Sequence, residues 1–335
     1  MYDKAMNLKN KFYQMFMIAP QGSNFSEEKN LEFALRNGLG GVIFFTKNIV
    51  STEQTITLID EIKKNALIQP FIGIDQEGGR VERTENIFNG KKFLSAKYQA
   101  QKGLSFVEEE TTKIAQLIRN IGFNMNFAPI LDVNTNPQNP IIGERAYGTT
   151  VKDVEKYAIC AMKTYIQNKI IPVGKHFPGH GDANADSHLT LPTIDLSREE
   201  MEKEHIKPFK TAISKGLSAI MIAHLYCPCF EPKQIPSSLS PTVINYLRDN
   251  LKFNGLIISD DMQMGALQEI SPIEALLQGI KAGVNLFLYR DSSDTTIALI
   301  ERAYLEIEKN KQLILKVENS FEIIQTLKSR HSVCW

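Results

Sequence analysis

Five polar clusters carry the groups that could do chemistry, and each follows a short apolar run. The first is Asp75-Gln76-Glu77-Gly78-Gly79-Arg80, with Arg83 close behind. The second is Asp132, followed by Gly143-Glu144-Arg145. The third and densest is Lys175-His176-Phe177-Pro178-Gly179-His180-Gly181-Asp182, with Asp186-Ser187-His188 after it. His224 ends a fourth run and Ser259-Asp260-Asp261 a fifth. Together they offer carboxylates, cations and imidazoles, the groups that acid–base, nucleophilic and sugar-binding chemistry draws on. Taken singly, each has a structural use. Asp75 can cap a helix, one of Asp260 and Asp261 is expected to do so, and Arg83 and Arg145 can form surface ion pairs worth little. Gly78-Gly79 and Gly179-x-Gly181 match neither phosphate-loop nor dinucleotide spacing. Five consecutive polar run-ends are more than stability alone requires.

The elements that must position them are short and apolar on both faces. Runs at 16–19, 41–45, 71–74, 125–131, 170–174, 219–223, 256–258 and 286–289 give eight candidate strands of the kind a helix-covered parallel sheet needs. Helical patterns lie between them. Val154, Tyr157, Ala158, Ala161, Met162, Tyr165 and Ile166 share one face. Ser240-Pro241 and Ser271-Pro272-Ile273-Glu274 read as helix starts, the second with a capping box, and Gly283 as a left-handed stop. Ser197 and Glu200 form another capping box, and Pro208 divides the pattern behind it into two helices. Eight such units predict a single (β/α)8 TIM-type barrel over residues 1–335, with no linker to divide it. The longest irregular segments, 177–197 and 225–239, both follow strands, on the face where barrel active sites are built.

Composition narrows the partners. The chain has 335 residues, 43% hydrophobic and 23% charged, as expected of a folded protein. Lys plus Arg equals Asp plus Glu at 38 each, which leaves no electrostatic footprint for nucleic acid or an anionic membrane. The apolar stretch 12–19 is interrupted by Gln14 and is too short to span a bilayer. With no clear secretory signal, a cytoplasmic protein is expected. Cys160, Cys227, Cys229 and Cys334 form no disulfide framework and are expected to be reduced thiols.

The run KHFPGHGD followed by DSH resembles the bacterial β-N-acetylglucosaminidases of glycoside hydrolase family 3, the NagZ type. GIDQEGGRVER and GLIISDDMQMGA resemble the third-strand and nucleophile motifs of the same family, and the likeness runs from about residue 16 to 289. The resemblance implies a retaining exo-acting enzyme that releases N-acetylglucosamine from peptidoglycan-derived anhydromuropeptides in cell-wall recycling. It implies Asp260 as nucleophile, His188 as general acid/base and Asp186 as the carboxylate partnered with His188. It also implies Asp75, Arg83, Arg145, Lys175 and His176 as holders of the sugar ring. The β-glucosidase branch takes its acid/base carboxylate from a second domain, and the chain is expected to be too short beyond strand eight to hold one. A monomer acting on a small carbohydrate, with no metal and no cofactor, is expected.

The chemistry fits these residue types. A retaining glycosidase needs a nucleophile below the anomeric carbon and a proton donor at the leaving oxygen. A histidine near its ordinary pKa can give and then take that proton at cellular pH. Asp186, two residues before His188, can accept from one imidazole nitrogen and set its tautomer. A phosphorylase on the same fold is the close alternative, because a neutral histidine would not repel phosphate. Sugar 1-phosphate formation tells the two apart. A metal-dependent hydrolase using His176, His180, Asp182 and His188 is more remote, since no HxH pair follows the first strand. A silent sugar-binding barrel would not need both Asp260 and the Asp186–His188 pair. The segment 177–189, with Gly179, Gly181 and Asn184 and few apolar anchors, is expected to be locally unstable and to swing over a bound sugar.

Overall fold

The computed structural model describes residues 6–87, 90–187 and 189–333. Eight strands close a barrel in sequence order: β1 (Phe16–Ile18), β2 (Gly41–Phe44), β3 (Phe71–Ile74), β4 (Met125–Asn126), β5 (Ile171–Phe177), β6 (Ala219–Ile222), β7 (Leu256–Asp261) and β8 (Leu286–Tyr289). Every neighbouring pair is parallel, including β8 with β1, so no edge is left open. The barrel expected from the alternating pattern is therefore present, and its strands are buried along nearly their whole length.

The strand ends differ from the apolar runs in an informative way. β4 is only two residues long, but the Ala128 and Pro129 carbonyls still accept the Val173 and Lys175 N–H groups of β5, and the Ile130–Lys175 bridge follows. β5 and β7 run further than their apolar stretches, so Lys175, His176, Asp260 and Asp261 belong to the strands themselves. In both strands the register with the next strand shifts, between Gly174 and Phe177 and between Ile258 and Asp261. Such irregularities redirect side chains at barrel rims. Where β7 and β8 slip, the Ser259 hydroxyl accepts the Leu288 N–H at 3.1 Å and fills the gap. The Lys175–His176 peptide is cis.

The helix signals translate locally. Ser240 and Ser271 cap helices that begin at Pro241 and Pro272, and Gly283 closes the second at φ 109°. Ser271 forms its cap but donates its hydroxyl to the Glu274 carboxylate, so the expected reciprocal box is not completed there. Ser197 and Glu200 do complete theirs, and the pattern behind them divides before Lys207–Ser214, whose second residue is Pro208. Helix Val151–Gln167 buries Val154, Ala158, Ala161, Met162 and Tyr165 against the barrel. Gln14, which interrupts the first apolar run, is fully buried and accepts from Lys328 Nζ at 2.8 Å, tying the final helix Lys311–Arg330 to the start of the barrel. Cys160, Cys227 and Cys229 are free thiols, and Cys334 lies outside the described residues.

Candidate active site

The polar strand ends converge on one cleft of about 240 Å³ at the C-terminal face of the barrel. Asp75, Arg83, Arg145, Lys175, His176 and Asp260 all line it, as expected from their places after β3, β4, β5 and β7. Phe45, Met221, Met264 and Leu288 add apolar wall.

One side is an ion network built around Glu77. Its carboxylate accepts Arg145 Nε at 2.9 Å and Nη2 at 2.8 Å, and it sits 2.7 Å from Lys175 Nζ. Lys175 also donates to Asp75 Oδ1 at 2.7 Å. Burial alone would raise the Glu77 carboxyl, but the Arg145 and Lys175 cations outweigh it and hold it far below the usual carboxylate range. Burial likewise works against the Arg145 charge, and Glu77 reverses this, raising its pKa. Asp75 is thus an ion-pair partner rather than a helix cap, and Arg145 is a buried bidentate pair rather than a surface one. Arg83 stacks on Phe45, its guanidinium carbon 5.6 Å from the ring centroid, and its Nε has no hydrogen-bond partner.

Asp132 organises the next wall. It is fully buried and accepts the backbone N–H of His176 at 3.1 Å and of His180 at 2.7 Å. It also accepts His176 Nδ1 at 2.8 Å, which leaves Nε2 facing Arg145 Nη2 at 3.5 Å. Burial opposes the Asp132 charge, but the His176 and His180 imidazoles and these N–H groups keep its pKa low. His180 is itself pushed down to about 4, by burial first and by the neighbouring His176.

Asp260 projects from the end of β7, and its Oδ1 accepts the Asp261 N–H at 2.8 Å. Burial would raise it, yet His176, His224, that N–H and Lys175 together hold it low, so it is an anion at neutral pH. Asp261 behaves oppositely: burial lifts it to about 6. Neither aspartate caps a helix as expected. Asp261 instead closes a turn by accepting the Gln263 N–H at 3.0 Å. His224 braces this strand end from outside the cleft wall, with Nε2 donating to the Asp261 carbonyl at 3.0 Å and Nδ1 2.6 Å from Ser238 Oγ.

The segment after β5 is held by polar rather than apolar anchors over its first half. Asn136 and Asn139 donate to the carbonyls of Ala183 and His180, and Thr135 donates to Asp182. Gly181 lies so close to the neighbouring backbone that a Cβ there would stand 1.6 Å from the Val133 oxygen. The expected instability of 177–189 is therefore not a property of residues 177–183. Asp186 follows, half-buried, its carbonyl accepting the N–H groups of Leu189 and Thr190. Among the described residues it is Ser187, not Asp186, that lines the cleft. His188 lies outside the described residues. Among those described, no group of three His, Cys, Asp or Glu is placed to hold a metal ion. His176 and His180, drawn above as possible zinc ligands, already engage Asp132 and Ser187.

Glu77, Asp132 and His180 are site residues that the strand-end reading passed over as roles. Glu77 carried a signal, since it stands two residues after Asp75 in the same polar run. Asp132 showed only as a lone acid after a strand.

Residues 7–327 match the glycosyl hydrolase family 3 N-terminal domain. A β-hexosaminidase from Methylococcus capsulatus is 31% identical over 282 residues, 81% of this chain and 81% of that protein. β-Hexosaminidase A from Pseudoalteromonas piscicida is 30% identical over 87% of this chain, which spans only 51% of its length. The solved structure of a family 3 β-N-acetylglucosaminidase from Paenibacillus sp. str. FPU-7 superposes with a TM-score of 0.91 at 31% identity. The match covers 98% of this chain and 63% of that one.

Proposed function

The chain belongs to glycosyl hydrolase family 3, and we propose that it is a retaining exo-β-N-acetylhexosaminidase in which Asp260 is the nucleophile. What carries the reading is the placement of a half-buried, ionised Asp260 in one cleft with the Asp75–Lys175–Glu77–Arg145 network. The β-hexosaminidase relatives support the substrate class.

A terminal β-linked N-acetylglucosamine enters with its hydroxyls toward the ionic wall. Asp75, Arg83, Arg145, Lys175 and His176 hold the ring, the charged groups forming the stronger hydrogen bonds. Asp260 attacks the anomeric carbon from below. The bond to the leaving oxygen breaks as His188 donates its proton there, with Asp186 stabilising the imidazolium. Water, deprotonated by the same imidazole, then displaces Asp260 from the sugar and restores both groups. Asp132, by holding His176 Nδ1, keeps that ring turned so that Nε2 faces the cleft side of Arg145.

The proposal extends, on the sequence motifs, to peptidoglycan-derived anhydromuropeptides as substrates, and to a monomeric enzyme acting in the cytoplasm. Among the described residues, no helix is long and apolar enough to cross a membrane. A chromogenic aryl β-N-acetylglucosaminide compared with the matching β-glucoside tests the activity. The N-acetyl sugar is expected to be preferred in kcat/KM by more than about a hundredfold. Equal rates, or preference for the glucoside, would overturn the assignment.

A further inference from the structure

Ser187 is fastened from two sides. Its Oγ lies 3.2 Å from His180 Nε2, and its carbonyl accepts the Ala266 N–H at 3.1 Å. Ala266 belongs to the turn Gly265–Leu267, six residues beyond Asp260, so one contact reaches the loop behind the proposed nucleophile. The other reaches the end of β5. There His180 is itself fixed, its N–H on Asp132 at 2.7 Å and its carbonyl on Asn139 Nδ2 at 2.8 Å. Beneath it, Gly179 at φ 131° passes so close to His205 that a Cβ would stand 2.6 Å from that residue's own Cβ. The His180 ring meets the His176 ring edge to face at 5.8 Å, so this mount shares a wall with the sugar-binding groups. Both Ser187 and His180 are buried. A neutral imidazole with one ring nitrogen committed to Ser187 holds that hydroxyl whichever of the two donates.

We propose that His180 and Ser187 are positioning residues for proton transfer, clasping the chain between β5 and the turn after β7 immediately before His188. The inference rests on the reading of His188 as the acid/base. The clasp fixes the point from which the next residue reaches the glycosidic oxygen, and neither His180 nor Ser187 exchanges a proton with substrate. Burial, which holds the His180 pKa near 4, keeps the imidazole uncharged across the working range.

Ser187→Ala tests this with little risk to folding, because it removes one oxygen. Kcat and KM are measured on a nitrophenyl N-acetylglucosaminide, which leaves without a proton, and on an alkyl or disaccharide substrate, which needs one. Loss of one neutral hydrogen bond at the mount is expected to lower kcat about tenfold on the poor leaving group, with KM unchanged. On the nitrophenyl sugar the loss is expected to stay below about threefold. Ser187→Thr, which keeps the hydroxyl, is expected to recover the difference, and His180→Gln to recover more of it than His180→Ala. Equal losses on both substrates, a loss carried by KM, or no loss at all would overturn the clasp. His188→Ala is run beside it. A non-selective loss in His188→Ala would remove His188 as the acid and the clasp with it, whereas a selective loss in His188→Ala beside a non-selective one in Ser187→Ala would overturn the clasp alone.

Discussion

Replacing Glu77 by Gln removes one charge from the centre of the site without opening a cavity. In the wild type that carboxylate faces Arg145 through both oxygens and Lys175 through one. After substitution Lys175 retains Asp75 and the remaining amide oxygen still accepts from a cation, but Arg145 loses its paired carboxylate and the amide N–H is turned against one of the two cations. Breaking a buried ion pair from one side costs about 3–5 kcal/mol. Since Asp75 remains and the shape is conserved, about 3 kcal/mol is expected. With an unfolding entropy of about 2.1 cal/mol/K per residue over this chain, that corresponds to a fall of roughly 4 °C in Tm. The sign of the pH dependence follows from the depressed Glu77 pKa. Its contribution is complete above the ordinary value of 4.5 and is lost progressively as pH falls below it. The gap between wild type and Glu77→Gln in urea unfolding should therefore be constant from pH 7 to pH 5, then shrink by about 1.4 kcal/mol per unit below. Turnover should fall about a hundredfold if Arg145 and Lys175 hold the sugar as proposed, because misplacing substrate-positioning groups by an ångström has that effect. A variant as stable as wild type at pH 7, or a gap that does not narrow in acid, would refute the reasoning.

Three further perturbations have outcomes that follow from the geometry. Asp261→Asn should flatten the pH–stability profile: the raised Asp261 pKa means that stability is lost as pH rises from about 4 through about 6, by up to about 3 kcal/mol. Thermal unfolding of both proteins from pH 4 to pH 8 checks this, and parallel curves would contradict it. Gly181→Ala should destabilise by more than about 3 kcal/mol, because its Cβ meets a backbone oxygen that cannot move aside; a Tm within one degree of wild type would show that the loop yields. Asp132→Asn leaves an amide where three N–H groups converge and should cost about 2–3 kcal/mol, read as a lowered urea midpoint. An unchanged midpoint would mean that His176 and His180 find other acceptors.

The barrel was legible because each strand is a short run apolar on both faces, and β3 and β8 begin and end where their runs do. Helix caps were legible because Ser–Pro starts and Gly283 act within one turn of chain. The strands that carry the chemistry were misjudged at their ends for a physical reason. A run judged by apolarity stops at the first polar residue, whereas β5 and β7 continue through Lys175, His176, Asp260 and Asp261 into the cleft. Six of the eight expected site residues do line that cleft, since strand ends of a closed barrel have nowhere else to converge. Glu77 and Asp132 escaped because their roles are pairings across 68 and 44 residues, which no local pattern encodes. The 177–189 segment was misread in part for the same reason. Its first half is secured by Asn136 and Asn139 from the neighbouring loop, and counting its own apolar residues could not register those contacts.

The central claim is that Asp260 becomes covalently bonded to the sugar. A fluorinated N-acetylglucosaminide with a good leaving group, incubated with the protein and followed by peptide mass spectrometry, tests it directly. The account predicts one glycosylated peptide, with the adduct on Asp260 and none formed in Asp260→Ala. An adduct on Asp261 or Asp75, or no adduct from a protein that still turns over the parent substrate, would contradict it. The last result would point to attack by the substrate's own acetamide.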